Sequence, residues 1–211
     1  MIPTKEEWKK ALEERHGKKL HHAFSSAAVA VCGLGGLGSN IATVLARAGI
    51  GKLILCDFDR VDITNLHRQQ YKANQTGMNK TDALSENIRE IAPYIELEAY
   101  TERITENNAA YLLKNADIIC EAFDDAECKA MLTNLVLETM PDKYLVAASG
   151  MAGMGSANTI QTRKIAKRFY LCGDGTSDVS EAGSLVASRV MLCAAHQAHT
   201  VLRILAGQLE T

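Results

Sequence analysis

Short apolar runs alternate along this chain with segments whose apolar positions recur at helical spacing. The runs Ala28–Cys32, Lys52–Cys56 and Ile95–Ala99 are separated by helical patterns over Asn40–Ala48 and Lys80–Ile91. That rhythm predicts βαβ units and a mostly parallel sheet. Further on, Asp117–Phe123 reads as a buried strand, Ala126–Glu138 as a helix and Tyr144–Ala148 as another buried strand. Asn158–Ile165 alternates as an edge strand would, Arg168–Cys172 is short and ambiguous, and Ser184–Ala206 has the pattern of a long closing helix. The opening residues, Met1–Leu20, read as one amphipathic helix. No internal repeat or low-complexity linker interrupts the series. Residues 1–211 are therefore expected to form a single domain, an open, doubly wound α/β fold of Rossmann-like type with ligand at the C-terminal ends of the parallel strands.

Composition supports one well-formed core. A chain of 211 residues with 47% hydrophobic content buries roughly 70% of the surface its unfolded form exposes. The 23 basic and 25 acidic residues nearly cancel, so there is no global field of the kind that marks nucleic-acid or polybasic membrane binders. Neither partner is expected. The N-terminus has no apolar core or small-residue cleavage site of a secretion signal, which predicts a cytoplasmic protein. Phe24–Ala46 carries no charge, but four glycines, three serines and an asparagine interrupt it, which argues for strand, loop and helix over a membrane span. The six cysteines form no Cys-x-x-Cys pair, so reduced core residues and no tetrathiolate zinc are expected.

Chemistry enters with GLGGLGSN, which contains Gly33, Gly35, Gly36 and Gly38 between the first strand and a helix. Glycine there permits a tight turn and lets backbone amides approach a phosphate, which the helix N-terminus favours. A dinucleotide oxidoreductase would carry nearly the same loop, and Asp57 would accept from a ribose hydroxyl in either case. The segment DFDRVDITNLHRQQ, residues 57–70, and GMNK at 77–80 separate the two. Hydride transfer needs no cations beside the phosphates, whereas attack of a carboxylate on an α-phosphate brings two anions together. Arg68 and Lys80 can neutralise that charge, Asn65 can bond a phosphate oxygen, and Asp59 and Asp124 offer the hard oxygens that Mg²⁺ takes.

As a set, GLGGLGSN, DFD at 57–59, NLHRQ at 65–69, GMNK and the acidic pair in EAFDDA at 121–126 resemble the ubiquitin-activating-enzyme-like adenylyltransferases, the family that includes ThiF and MoeB. The likeness covers residues 28–126, and the short form looks most like ThiF, which activates the sulfur carrier ThiS in thiamine biosynthesis. By position the resemblance implies Asp57 on the ribose, Asn65, Arg68 and Gln69 around the triphosphate of ATP, Lys80 on the phosphates and Asp124 on Mg²⁺. It also implies a partner, a small ubiquitin-fold protein ending in Gly-Gly, and a homodimer. Siblings in the family act on a molybdopterin carrier or a modified tRNA adenosine.

Several departures qualify the match. EAFDDA replaces the usual acidic-then-asparagine pattern, which leaves Asp124 and Asp125 as alternatives, with alignment favouring Asp124. Arg15 is the available counterpart of an arginine that relatives donate across a dimer, although its neighbourhood matches poorly and a surface arginine accounts for it better. Cys172 lies where relatives sometimes carry a catalytic cysteine, although packing explains a cysteine after an apolar strand. His196 and His199, three apart, fit a surface or interface role, and Met151 and Met154 read as core filling.

Overall fold

The computed structural model describes all 211 residues. Seven strands form one sheet: β1 (Ala28–Cys32), β2 (Lys52–Cys56), β3 (Glu96–Tyr100), β4 (Ile118–Glu121), β5 (Tyr144–Ala148), β6 (Gln161–Ala166) and β7 (Phe169–Gly173). Their order is β3-β2-β1-β4-β5-β7-β6, and all neighbours are parallel except the β6–β7 hairpin at one edge. The chain leaves β1 for β2 on one side and reaches β4 on the other, so the loop after β1 sits at the topological switch point.

Eight helices connect and cover these strands: α1 (Lys5–His16), α2 (Lys18–Ser25), α3 (Gly36–Ala48), α4 (Lys80–Ile91), α5 (Ala109–Leu112), α6 (Ala126–Thr139), α7 (Val179–Ala182) and α8 (Ala187–Leu205). Alternation along each strand sends Val29 and Val31 to one face and Ala30 and Cys32 to the other. The first face packs under α2, α3, α4 and α8 in a cluster of 32 buried residues that includes Leu45, Leu55, Ile88 and Val201. The second packs under α5 and α6 in a cluster of 14 around Ile54, Ile119, Leu132 and Leu145. Both faces are covered, as an α/β doubly wound sheet requires. No helix is long and apolar enough to cross a membrane.

The opening helix is two. Gly17, at φ 82°, separates α1, which buries no residue, from α2, which buries His21 and Phe24. The polar sequence KEEWKKALEERH has no continuous apolar stripe, so α1 rests on its local signals, a capping box between Thr4 and Glu7. The third helix begins at Gly36, four residues ahead of the predicted start, because the glycine loop itself supplies the first turn. The ambiguous segment near 168–172 is β7, a full strand between β5 and the edge strand β6.

Candidate functional site

The loop between β1 and α3 is shaped by close approach. Gly33 has φ +89°, and a Cβ there would meet the Ala122 carbonyl oxygen at 2.8 Å. A Cβ on Gly38 would lie 1.8 Å from the Gly33 carbonyl oxygen, and one on Gly36 would press on Val190 of α8 at 2.9 Å. Gly35 is different: its φ is −73°, and the nearest atom to a Cβ would be Gln69 Nε2 at 3.8 Å. The protein alone leaves room for a side chain there, and the opening suits a ligand that approaches the backbone. Helix α3 has no side-chain cap, and the amides of Gly36, Leu37 and Gly38 have no acceptor in the chain. Unpaired amides at the positive end of a helix dipole favour an anion.

Beside this loop, Asp57 follows β2 and is 8% exposed. One carboxylate oxygen accepts the Leu34 amide at 2.6 Å and the other the Asp59 amide at 2.7 Å. Lys80, 5% exposed at the start of α4, donates to Asp59 Oδ2 at 2.7 Å and lies 3.9 Å from Asp57 Oδ2. Burial pushes the Asp57 carboxyl above the usual carboxylate range, and the Lys80 charge opposes that rise. The three side chains form one buried-to-exposed ion cluster. Lys80 is therefore held inside the protein and is not a solvated surface charge.

The NLHRQ segment is stapled to α3. Asn40 Nδ2 donates to the Arg68 carbonyl at 3.1 Å, Ser39 Oγ accepts the Gln70 amide at 3.1 Å, and the Tyr71 hydroxyl donates to the Leu34 carbonyl at 2.7 Å. Asn65 ends a 3₁₀ turn whose carbonyl accepts the Arg68 amide at 3.2 Å. Arg68 is half-buried against Gly36. Gln69 is 8% exposed, and its Oε1 is buried without a partner. An orphan acceptor of this kind calls for a donor that the chain does not supply, a water or a ligand.

Across the switch point, β4 ends on Glu121 and the chain turns through Ala122–Asp125 into α6. Asp125 is the N-cap of α6 and accepts the Cys128 amide at 2.8 Å. Asp124 is exposed and makes no hydrogen bond or ion pair. Of the two aspartates, Asp124 is thus the one whose oxygens are free for a cation. Asp59 already shares one oxygen with Lys80. The donor set accommodates Mg·ATP: uncapped amides and cations for the phosphates, a fixed carboxylate for the ribose, and a free carboxylate for the metal.

A model of the ThiF family matches residues 9–211. The chain belongs to the ThiF family. Among curated relatives, the adenylyltransferase and sulfurtransferase UBA4 of Lodderomyces elongisporus is 26% identical over 86% of this chain and 41% of its own length. The adenylyltransferase and sulfurtransferase MOCS3 of Caenorhabditis briggsae is 34% identical over 61% of this chain and 32% of its own. The chain thus spans well under half the length of these relatives. Among solved structures, the E. coli tRNA N6-threonylcarbamoyladenosine dehydratase TcdA in complex with ATP superposes with a TM-score of 0.86 at 23% identity, covering 98% of each chain. That likeness establishes a shared fold.

Other candidates in this ThiF-family chain are resolved by burial. Cys172 is fully buried in β7, with Sγ 3.6 Å from Thr162 Oγ1 and 3.9 Å from Thr200 Oγ1. Burial pushes its thiol up, so it is a packing residue and no nucleophile in this state. His196 is half-buried with Nδ1 3.0 Å from Thr162 Oγ1, and burial with the neighbouring His199 holds it below the usual histidine value. Both histidines line a cavity of about 680 Å³ between α8 and β6–β7 that shares no residue with the glycine loop. Met151 packs on the larger core, but Met154 is 81% exposed, which overturns core filling at that position. Arg15 is exposed in the last turn of α1.

Two buried ion pairs escaped the sequence reading. Arg189 in α8 bonds the carbonyls of Ala152, Gly155 and Ser156 and pairs with Asp174 at 2.5 Å, clasping the loops after β5 and β7. Burial would raise the Asp174 carboxyl, but the Ser177 and Thr176 amides and Arg189 together hold it well below the usual range. Glu121 pairs with Lys129 of α6. A lone arginine on the buried stripe Arg189, Val190, Cys193, Gln197 and a glutamate closing an apolar strand were the available signals, since neither charge is buried without a partner.

Proposed function

We propose that this chain is an ATP-dependent adenylyltransferase that activates the C-terminal carboxylate of a small ubiquitin-fold sulfur carrier ending in Gly-Gly. The observation that carries this reading is Lys80, a cation buried between Asp57 and Asp59 beside an uncapped helix N-terminus. An oxidoreductase has no use for it, whereas adenylation gathers negative charge there. The names of the relatives UBA4 and MOCS3 support the adenylation half of the reading.

In the step proposed, a carboxylate oxygen of the carrier attacks the α-phosphorus, the bond from that phosphorus to the α,β-bridging oxygen breaks, and pyrophosphate departs with the bridging oxygen, leaving an acyl-adenylate. A carboxylate is already ionised at neutral pH, so the protein supplies no general base. Asp57 orients the ribose, the α3 amides with Asn65, Arg68 and Gln69 hold the phosphates, and Arg68 and Lys80 offset the charge that develops. Asp124, with Asp59 nearby as a second candidate, would hold Mg²⁺, which would supply further neutralisation of the triphosphate. A sulfur nucleophile then displaces AMP. The reading includes a homodimer, which the family resemblance implies.

The test is exchange of labelled pyrophosphate into ATP with a panel of purified Gly-Gly-terminated carriers, a ThiS-type carrier among them. Exchange that requires the carrier supports the reading, and its absence with every carrier removes it. A second reading, action on tRNA threonylcarbamoyladenosine, is favoured by one observation: this chain and TcdA match along 98% of each other. ATP turnover that depends on the modified tRNA and not on a carrier would select it.

A further inference from the structure

Glu121 and Lys129 have no part in the chemistry assigned above, yet they are the most thoroughly satisfied charges near it. Glu121 is 1% exposed. Each of its carboxylate oxygens lies 3.1 Å from Lys129 Nζ, which donates a third bond to the Ala148 carbonyl, at the end of β5, also at 3.1 Å. All three ammonium protons are thus used inside the protein. Glu121 Oε1 also accepts the Phe123 amide at 2.7 Å. The Ala122 amide donates to the Cys32 carbonyl at 2.9 Å, and Asp125 is fixed as the cap of α6. Every residue of the turn is therefore tied down except Asp124. Desolvating two charges is costly, and apolar residues of similar volume would fill the space as well or better. A structural ion pair at this point calls for a purpose other than stability.

We propose that Glu121 and Lys129 are positioning residues that hold the β4–α6 turn so that Asp124 is presented to the metal on the ATP phosphates. The role rests on Asp124 being that metal's ligand. The coupling runs through named bonds: Lys129 fixes the Glu121 carboxylate, the carboxylate fixes the Phe123 amide, and Phe123 is the residue before Asp124. The turn also abuts the glycine loop, since the Ala122 carbonyl oxygen and the Phe123 ring crowd Gly33. Freedom in this turn would loosen Asp124 most, since the Ala122 amide still holds the end of the turn nearest the glycine loop to the Cys32 carbonyl. Lys129 contacts neither the glycine loop nor the Lys80 cluster.

The experiment is calorimetric titration of the full chain with ATP, with and without MgCl₂. The proteins are native, Asp124→Asn, Lys129→Arg, Lys129→Met and the doubly neutralised Glu121→Gln/Lys129→Met. Native protein should bind ATP more tightly with Mg²⁺. Lys129→Met should lose about tenfold of that enhancement, the usual loss when support behind a metal ligand is removed. Its Mg²⁺-free ATP affinity should stay within about twofold, and Lys129→Arg should keep the enhancement. Added to Asp124→Asn, Lys129→Met should cost nothing further, because residues acting through one another are not additive. The doubly neutralised variant leaves no lone buried charge and carries the same comparison if Lys129→Met fails to fold. An intact enhancement in the Lys129 variants, alongside its loss in Asp124→Asn, overturns the positioning role alone. An equal fall in affinity with and without Mg²⁺ overturns it too, as the sign of a merely structural pair. If Asp124→Asn keeps the enhancement, the metal-ligand reading falls and takes the positioning role with it.

Discussion

After β2, Asp57 is 8% exposed and both of its oxygens accept amide protons, whereas after β4 Asp124 stands exposed with no donor in the chain. The two turns flank the same switch point, yet one is complete before any ligand arrives and the other is held only from beneath. The first is continuous with the core: Lys80 is buried, and NLHRQ is stapled to α3. The second keeps one side chain open above a rigid base. Preorganised donors cost no rearrangement at the moment of reaction, and a free carboxylate can take up a metal that comes and goes with its nucleotide. Substitutions in the first turn should therefore disturb fold and chemistry together, and those in the second should separate them.

The sharpest break in that contrast would come from Lys80→Ala. Removing the cation leaves Asp57 buried beside Asp59, so both stability and activity should fall. Pyrophosphate exchange should drop by roughly 10²–10³-fold, the loss typical of one preorganised charge-stabilising group. The melting temperature without ligand should fall by several degrees, because a buried charge loses its partner. A variant with native melting and native exchange would show that the cluster is ornamental to both.

Asp124→Asn comes next and should split the two readouts. Exchange should fall by at least about 10–100-fold, the loss already seen when only the support behind a metal ligand is removed, while the melting temperature stays within about 1–2 °C, since exposed substitutions rarely exceed ±0.5 kcal/mol. A matching fall in melting temperature would place Asp124 in the structural turn and erase the difference from Asp57.

How much of this was legible beforehand follows the same division. The βαβ rhythm marked most of the sheet, since the inner parallel strands are short runs of mostly apolar residues bounded by turns, while the edge strand β3, ELEAY, is half polar. The motifs marked Asp57, Lys80 and Asp124 because their spacing is rigid in sequence. What stayed hidden was pairing. Nothing in the order of letters says that Lys80 lies under two aspartates, that Asp125 caps α6 and so frees Asp124, or that Arg189 finds Asp174 across two loops. These bonds join residues brought together by topology alone. The break at Gly17 and the exposure of Met154 were missed for a related reason: an amphipathic or glycine-rich pattern does not say what lies opposite.

A smaller effect should appear in ribose discrimination. Both Asp57 oxygens are engaged, but each has a second lone pair and is held at a fixed angle. ATP should bind more tightly than 2′-deoxy-ATP by about 1.5–3 kcal/mol, the worth of one charge-assisted bond. Equal affinities by calorimetric titration would take the ribose from Asp57 and leave it as a purely internal acceptor.

The smallest effect concerns Asp125, the neighbour that decides which aspartate is free. As the cap of α6 it accepts the Cys128 amide at 2.8 Å, and that bond holds its carboxyl below the usual range. Asp125→Ala should lower the melting temperature by about 2–4 °C through loss of the cap while exchange falls no more than about twofold. The pH dependence fixes the cause. A carboxyl whose folded value lies below its unfolded value contributes stability in full above the unfolded value, near 3.8, and loses it as the pH falls through the folded value. The native and Asp125→Ala melting curves should therefore differ at pH 7 and converge below about pH 4. Asp124→Asn should show the opposite pattern, with no melting difference at either pH and a large loss of exchange. If Asp125→Ala instead abolished exchange with melting intact, the roles of the two aspartates would be reversed, and the open arm of the site would begin one residue later.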